Sequence, residues 1–256
     1  STDGTGEFIR SKYKDIIVLS GKGNLWWTGA IYWGVEKIME IAKTGDYVLT
    51  VNNDCTFDRE FISILLKTAM ENNQSIVGSL AIDSEDKETI TDGGVNIDWS
   101  NCRLLPIGPK FIREISKKTD TIDVDTLSTK GTLYPIDVFR KVGNFDKKHL
   151  PHYISDYEFS IRAKGNGYKL LISYKARIFN ETRRTGIGNE MPKEINLAKV
   201  LQLLFSRKSR MNIFDHFWFI TLCCPLKYKA KNYLLLFFKP LYMLKVLLLS
   251  KIKDKN

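Results

Sequence analysis

The sequence has few residues of the kinds that ligate zinc or build disulfide frameworks. Its 256 residues include four cysteines and three histidines. Cys55, Cys102, Cys223 and Cys224 form no Cys-x-x-Cys pair, and their spacing is not that of a zinc site. Cys223 and Cys224 are adjacent, and a disulfide between neighbours has strained geometry. The pattern argues against a zinc site and predicts free thiols in a reducing cytosol.

The chain also lacks an uninterrupted apolar run of about 20 residues, the length that a spanning helix needs. The two most apolar segments, residues 213–224 and 232–250, are both interrupted by charged residues. We therefore expect helices that lie in a membrane interface rather than cross it. The opening Ser1-Thr2-Asp3-Gly4-Thr5 is a polar turn without an initiating methionine. We expect the chain to begin inside a fold and to lack its first strand.

The charge balance is strongly positive, with a formal net charge of +10. Such an excess indicates an anionic partner: a nucleic acid, a phosphorylated substrate or an acidic membrane surface. The lysines that follow Pro225 are Lys227, Lys229, Lys231, Lys239, Lys245, Lys251, Lys253 and Lys255. They adjoin apolar segments, and the sequence has no recognition motif for RNA or DNA. We therefore expect an anionic membrane surface as a partner and no nucleic acid.

Apolar runs alternate with segments of helical periodicity. Short apolar runs predict buried strands at residues 15–20, 47–51, 75–82, 121–126 and 169–173. Between the first two, Ile31, Val35 and Ile38 fall on one helical face, and Thr28 is the predicted N-cap of that helix. The alternation predicts an α/β fold with a mostly parallel sheet flanked by helices.

A first polar cluster, Asn52, Asn53 and Asp54, directly follows the predicted strand at residues 47–51. Ligands in open α/β sheets bind beyond the carboxyl ends of the strands. A carboxylate there can hold a hard divalent cation, which in turn binds a diphosphate. Spacing alone is equally consistent with a polar turn that caps the next helix.

A second polar cluster spans residues 152–158. Ser155 and Glu158 have the Ser-x-x-Glu spacing of a capping box, which predicts a helix that begins there. Capping does not explain Asp156. A carboxylate in the first turn of a helix is stabilised in its ionised form, which makes it a weak base unless burial offsets the effect.

Five segments of the chain, taken in order, resemble the conserved motifs of one family. The segments are residues 1–5 (STDGT), residues 23–30 (GNLWWTGA), Asn52-Asn53-Asp54, the glycine segments Gly93-Gly94 and Lys130-Gly131-Thr132, and residues 143–162. Over about residues 1–189 the sequence resembles family 2 inverting glycosyltransferases, which have the GT-A fold. It is most similar to the bacterial rhamnosyltransferase-like branch, which builds cell-surface polysaccharides.

The resemblance implies a role for each matched residue. Asp156 would be the catalytic base, and Asp54 the one carboxylate of the metal motif, because residue 52 is asparagine. The implied cofactor is Mg²⁺ or Mn²⁺, the donor a UDP- or dTDP-sugar, and the acceptor a saccharide or lipid-linked saccharide. The implied donor-binding residues are Asp3, Asn24, Trp27, Gly29, Asn52 and Asn53. The implied acceptor-binding residues are Gly94, Gly131, Thr132 and His152.

These expectations divide the chain into two parts: a GT-A-like catalytic domain at residues 1–193 and a basic, apolar helical extension at residues 194–256. The extension would hold a cytoplasmic protein at the inner face of the cell membrane. The alternatives for its helices are packing on the catalytic domain or forming a homodimer. Two other functions stay open on sequence alone. One is a non-catalytic relative, suggested by Asn52 and the missing strand, and the other is a basic nucleic-acid-binding protein.

Overall fold

A computed structural model describes residues 3–116, 119–181 and 196–253 of the chain. The helices are α1 Thr5–Lys12, α2 Trp26–Met39, α3 Phe61–Glu71, α4 Ile136–Val142, α5 Ser155–Gly165, α6 Leu197–Phe205, α7 Ile213–Cys223 and α8 Leu226–Lys253. The strands are β1 Tyr47–Thr50, β2 Cys55–Phe57, β3 Ile76–Asp83, β4 Ile90–Asp92, β5 Val95–Asp98, β6 Arg103–Pro106, β7 Thr121–Asp123, β8 Thr132–Pro135 and β9 Leu170–Asn180. A short 3-10 helix covers Ile112–Glu114.

Seven strands form a central sheet with the order β1-β8-β3-β9-β2, with β4 beside β3 and β7 beside β9. β5 and β6 form a separate hairpin. The strands β1, β3 and β9 each follow a helix and run in the same direction, since β8 is antiparallel to both β1 and β3 while β9 is parallel to β3. The predicted α/β fold with a central sheet flanked by helices is confirmed.

The expectation of a mostly parallel sheet needs correction. Among the described strands, β3 and β9 form the one parallel pair, and the other ladders of the sheet are antiparallel. The physical reason is the connections. The strands β2 and β4 each follow the preceding strand through a short loop with no crossover helix, so each runs opposite to the strand before it.

The apolar run at residues 15–20 is the one predicted strand that does not form. These residues are irregular and have no ladder partner in the described part of the chain. Ile16 and Ile17 are 52% and 55% exposed. An apolar run becomes a strand only where a neighbour offers backbone hydrogen bonds and covers its side chains. The runs at 47–51, 75–82, 121–126 and 169–173 have such neighbours and correspond to β1, β3, β7 and β9.

The strand β3 is buried on both faces and separates two parts of the core. Alternate side chains point to opposite faces, so Leu80 and Ile82 lie in one apolar cluster and Val77 and Ala81 in the other. The second cluster is covered by α3 through the face that contains Leu65. Packing on both faces of β3 therefore fixes the carboxyl edge of the sheet, and the polar clusters begin at that edge.

The three helices after residue 196 pack on the rest of the chain. The ring of Phe219 on α7 stacks on Trp99, with centroids 5.7 Å apart. On α8, the Asn232 amide donates to the Trp99 carbonyl at 2.8 Å. The helix α8 continues through Pro240. None of the helices in the described ranges is both long enough and apolar enough to cross a membrane.

Candidate active site

The first turns of α2 and α5 are joined by two buried hydroxyl groups. Thr28 Oγ1 donates to the Leu150 carbonyl at 2.7 Å and lies 2.7 Å from Ser155 Oγ. The predicted caps at Thr28 and Ser155 are wrong, because α2 begins at Trp26 and Ser155 lies inside α5 rather than before it. Each buried hydroxyl finds its partner in the other helix instead. This contact fixes the two helix starts beside each other.

Glu158 does not complete a capping box either. Its carboxylate accepts from Arg162 Nε at 2.6 Å and from Nη2 at 2.9 Å. The same guanidinium donates to the carbonyls of Val142 and Asn144 at 2.6 and 3.0 Å. The bidentate pair within α5 is charge-assisted and orients the guanidinium, whose bonds to the two carbonyls tie α5 to the end of α4 and the residues after it. It therefore helps to fix the helix that carries Asp156.

A cavity of about 490 Å³ opens between the start of α2, the turn after β1 and the start of α5. It is lined by Trp26, Trp27, Asn52, Asp54, Ser128, Thr129, Lys130, His152, Tyr153, Ile154, Asp156, Lys208 and Arg210. We call it the first cavity. The structure thus brings together five residues that the sequence had singled out, from segments up to 129 positions apart: Trp27, Asn52, Asp54, His152 and Asp156.

A second cavity, of about 560 Å³, adjoins the first. Asp92, Gly94 and Lys110 line the second cavity and do not line the first, which contains Asp54. The residues common to both cavities are Ser128, Lys130, Tyr153, Ile154, Asp156 and Arg210. Asp156 therefore lies where the two cavities meet, and a group bound in either one can reach its neighbourhood.

The Asp156 carboxylate is poised to exchange a proton near neutral pH. Burial raises its pKa to about 6, and the negative charge of Asp92 acts in the same direction. A hydrogen bond from the Tyr157 backbone N–H at 3.0 Å opposes this shift. Burial therefore outweighs the helix N-terminus, which by itself would keep the group a weak base. At pH 7 the carboxylate is ionised and still binds a proton well enough for general-base catalysis.

Asp54 supplies one carboxylate to the first cavity, at the turn between β1 and β2. Cys55 Sγ lies 3.4 Å from its Oδ1, and burial followed by the Asp54 charge raises the pKa of that thiol to about 11. In the described ranges no three His, Cys, Asp or Glu side chains converge as a metal-binding group. Mg²⁺ commonly takes one or two carboxylates, with phosphate and water completing its shell. Asp54 and Asn52 fit a cation whose ligand shell is completed by phosphate and water. They do not fit a cation whose ligands all come from the protein.

His152 lines the first cavity and has an unsatisfied ring nitrogen. Its Nδ1 is buried and has no hydrogen-bond partner among the described residues. Its ring is tilted by 49° to that of Trp26, with centroids 5.6 Å apart. Burial, and then the positive charge of Lys208, lower its pKa, so the ring is neutral at pH 7. A buried polar atom without a partner marks a position where a ligand or water can bind.

Two bulky residues of the first cavity have left-handed backbone conformations. Trp26 has φ of 54° and Ile154 has φ of 55°. Such angles are rare for aromatic and β-branched residues and store strain. Both positions lie beside the Thr28–Ser155 contact, which holds them. Strain of this kind commonly accompanies a preorganised site.

A comparison with models of protein families identifies the family of the chain. A family model described as Glycosyl transferase family 2 matches residues 1–143, more than half of the chain. The chain belongs to glycosyl transferase family 2. Asp156 lies beyond the matched residues, so the family match by itself does not assign its role. A comparison with curated proteins gave no match.

Solved structures also match this chain. One is the crystal structure of GalNAc-T7 with UDP, GalNAc and Mn²⁺, with a TM-score of 0.54 and 16% sequence identity. The match covers 84% of this chain and 41% of that one, so the chain spans less than half the length of that relative. At this identity the likeness shows the fold alone. The predicted GT-A-like fold and family 2 membership are confirmed.

The other predicted site residues lie outside the linings of both cavities, Gly94 excepted. Those on the surface are Asp3, Asn24 and Asn53, and those in the interior are Gly29, Gly131 and Thr132. The positions of these residues give no support to their predicted donor or acceptor roles, which stay predictions. Gly131 has a steric role instead: its φ is +68°, and a Cβ there would lie 2.5 Å from Ser79 Oγ. His152, which was predicted to bind the acceptor, lines the first cavity together with Asp54.

Several residues that line the two cavities were not predicted from the sequence. Lys208 and Arg210 enter the first cavity from the loop between α6 and α7, and Asp92 lines the second. Lys130 lies in a segment that was noted for its glycine. The signal that could have found the first two is the basic sequence Arg207-Lys208-Ser209-Arg210, which follows an apolar helix. Nothing in the spacing connects that sequence to Asp156.

Proposed function

We propose that the protein transfers a sugar from a nucleoside diphosphate donor to a saccharide or lipid-linked saccharide, with inversion at the anomeric carbon, in bacterial cell-surface polysaccharide synthesis. The observation that carries the proposal is the position of Asp156 at the junction of two cavities. The first cavity contains Asp54 and the tryptophans, which suit a donor. The second contains Asp92 and Gly94, which suit an acceptor.

In this mechanism Asp156 takes the proton of an acceptor hydroxyl in the second cavity. The hydroxyl oxygen forms a bond to the anomeric carbon as the bond from that carbon to the diphosphate oxygen breaks. Nucleophile and leaving group occupy opposite faces of the sugar, so a single displacement inverts the configuration. The arrangement requires a base on the acceptor side and a charged pocket on the donor side. The two adjoining cavities supply these two environments.

The first cavity would bind the donor through several kinds of contact. Asp54 and Asn52 would hold Mg²⁺ or Mn²⁺, which when bound neutralises charge on the departing diphosphate. Trp27 offers an aromatic face to the nucleobase or sugar. His152 Nδ1, buried and without a partner in the described part of the chain, can bond a sugar hydroxyl. The related GalNAc-T7 structure contains UDP and Mn²⁺, which makes UDP-sugars the first donors to test.

A thermal-shift screen tests the function directly. UDP- and dTDP-sugars would be added to the protein with and without Mn²⁺. We expect one nucleotide class to raise Tm by about 5 °C at concentrations near 100 times Kd, because ligand binding to the folded state stabilises it. The same donors should be hydrolysed slowly when no acceptor is present. If no donor raises Tm or is hydrolysed, the protein is a non-catalytic relative.

We also propose that the C-terminal helices bind an anionic membrane surface. Between residues 234 and 242 of α8, six apolar residues stand out from the protein and are 45% to 72% exposed: Leu234, Leu235, Phe237, Phe238, Leu241 and Tyr242. Fewer lysines are available than the sequence suggested. Lys229, Lys231 and Lys239 donate to acceptors within the protein, and burial lowers the pKa of Lys239 to about 8. The apolar face of α8 therefore carries most of this proposal, with lysine charge as a second contribution.

Vesicle sedimentation tests the membrane proposal. Phe237→Gln/Phe238→Gln should weaken binding to vesicles that contain phosphatidylserine by at least about tenfold, given the transfer free energy of two aromatic rings. Ile41→Gln is the control, because Ile41 is exposed elsewhere on the molecule. Binding of the wild type should rise with phosphatidylserine and fall with salt. Indifference to lipid charge would contradict the proposal, and a dimer lost in the double variant would assign the face to a second copy.

A further inference from the structure

The loop between α6 and α7, residues 206–212, is built around two buried polar side chains. Ser209 and Asn212 are buried, and Ser209 Oγ accepts from the Met211 N–H at 3.1 Å. Asn212 Nδ2 donates to the Phe205 carbonyl at 3.1 Å, and its Oδ1 caps the first turn of α7. Satisfied buried polar groups of this kind give a loop one defined conformation. The loop is therefore a fixed element.

This loop delivers two cations to the first cavity. Ser209 is buried, whereas its neighbours Lys208 and Arg210 are exposed and line the cavity. Tyr153 anchors the loop from the opposite side. Its hydroxyl donates to the Lys208 carbonyl at 3.3 Å, and the Arg210 guanidinium lies 6.0 Å from its ring centroid. The two cations are thus held over the segment that precedes Asp156.

The first cavity contains three cationic side chains against two carboxylates, those of Asp54 and Asp156. Lys130, Lys208 and Arg210 line it, and no ion pair formed by the described residues includes any of the three. In the proposed site, Asp54 is the one carboxylate that would hold a cation. Other groups must therefore neutralise the greater part of the negative charge of a diphosphate. Arginine binds phosphate oxygens through two parallel N–H groups, and lysine acts as a compact charge beside them.

We propose that Lys208 and Arg210 form an anion clamp that binds a diphosphate group in the first cavity and stabilises it as it leaves. This inference rests on the proposed function, since the diphosphate would be that of the sugar donor. A lipid diphosphate acceptor would offer the same chemistry at Arg210, which also lines the second cavity. The C-terminal part of the chain, beyond the residues that the family model matches, would thus complete the donor site.

Calorimetry on single and double charge-removing variants tests the clamp. Lys208→Met and Arg210→Gln should each weaken binding of UDP, or of dTDP if that is the nucleotide bound, by about tenfold, the scale of one charge-assisted contact. The double variant should lose about a hundredfold, and Arg210→Lys should retain most of the affinity. The matched control is Arg207→Gln, which removes the same charge from the same loop at a position that lines neither cavity.

Uridine, inorganic pyrophosphate and farnesyl diphosphate separate the sources of binding. Uridine lacks phosphates, so its affinity should be equal in all variants. Loss of pyrophosphate affinity together with UDP affinity assigns the clamp to the donor, and loss together with farnesyl diphosphate affinity assigns it to a lipid diphosphate. Equal affinities for UDP, pyrophosphate and farnesyl diphosphate in the wild type and the double variant would overturn the clamp and leave the proposed function standing. Clamp-dependent binding of pyrophosphate without any nucleotide binding would overturn the function and leave the clamp. A wild type that binds none of these probes would overturn both.

Discussion

Asp156→Asn is expected to lower the turnover of sugar transfer by roughly 10²-fold or more, the scale of a lost general base. Asparagine has nearly the same shape, so the start of α5 and both cavities should persist. Nucleotide affinity should change little, because the proposed donor contacts lie with Asp54, Lys208 and Arg210. Steady-state kinetics and UDP titration on the same variant separate the two effects. Asp137→Asn is the matched control, since Asp137 lies in the first turn of α4.

The pH profile gives this prediction an independent check. The pKa of Asp156 is raised to about 6, so the base is ionised above that pH and protonated below it. For the wild type, kcat/KM should therefore be level above pH 6 and fall about tenfold for each pH unit below. The residual activity of Asp156→Asn should not show this fall. Turnover like that of the wild type, or an unchanged acid limb in the variant, would place the base elsewhere.

The stability of the same variant follows from linkage. The folded protein binds a proton at Asp156 more tightly than the unfolded chain does, because burial raises the pKa from 3.8. The wild type therefore gains stability from this group as the pH falls from about 6 toward 4, and has no such gain at pH 7. We expect Asp156→Asn to melt at pH 7 no lower than the wild type. This would show that the aspartate serves the reaction rather than the fold.

Much of the fold could be predicted from local pattern. The strand β3 is apolar throughout because it is buried on both faces, and Asn52 to Asp54 follow β1 as the apolar run indicated. The run at residues 15–20 has equal apolar content yet forms no strand. Burial of a strand depends on neighbours that are distant in the sequence, and a local pattern does not contain them.

The contacts that shape the site are the least local of all. Local spacing predicted that Thr28 and Ser155 would be helix caps. Their actual hydrogen bond joins positions 127 residues apart. Lys208 and Arg210 lie in a part of the chain that composition marked as membrane-associating, and tertiary packing carries them to Asp156. The sequence could therefore predict several of the residues that meet in the first cavity. It could not predict the partners that position them.

Removal of the Asp54 carboxylate is the second change with a large expected effect. Asp54→Ala should lower Mn²⁺-dependent transfer by roughly 10³-fold, since a bound metal contributes several kcal/mol to stabilising charge in the transition state. The first cavity would then keep the Asn52 amide as its one metal-binding side chain next to β1. The fold should be unaffected, because Asp54 lies in a turn at the cavity surface. Asp58→Ala is the control, as Asp58 is exposed in the connection between β2 and α3 and lines neither cavity.

A Mn²⁺ titration of UDP binding decides what the Asp54 variant has lost. In the wild type, Mn²⁺ should tighten UDP binding, and in Asp54→Ala it should not. The affinity measured without metal should be similar in both proteins, because it depends on the Lys208 and Arg210 clamp. Removing the clamp residues should have the opposite effect, with weaker binding in the absence of metal and a larger relative gain when Mn²⁺ is added. Mn²⁺ activation that survives in Asp54→Ala would show that the cation binds elsewhere in the chain.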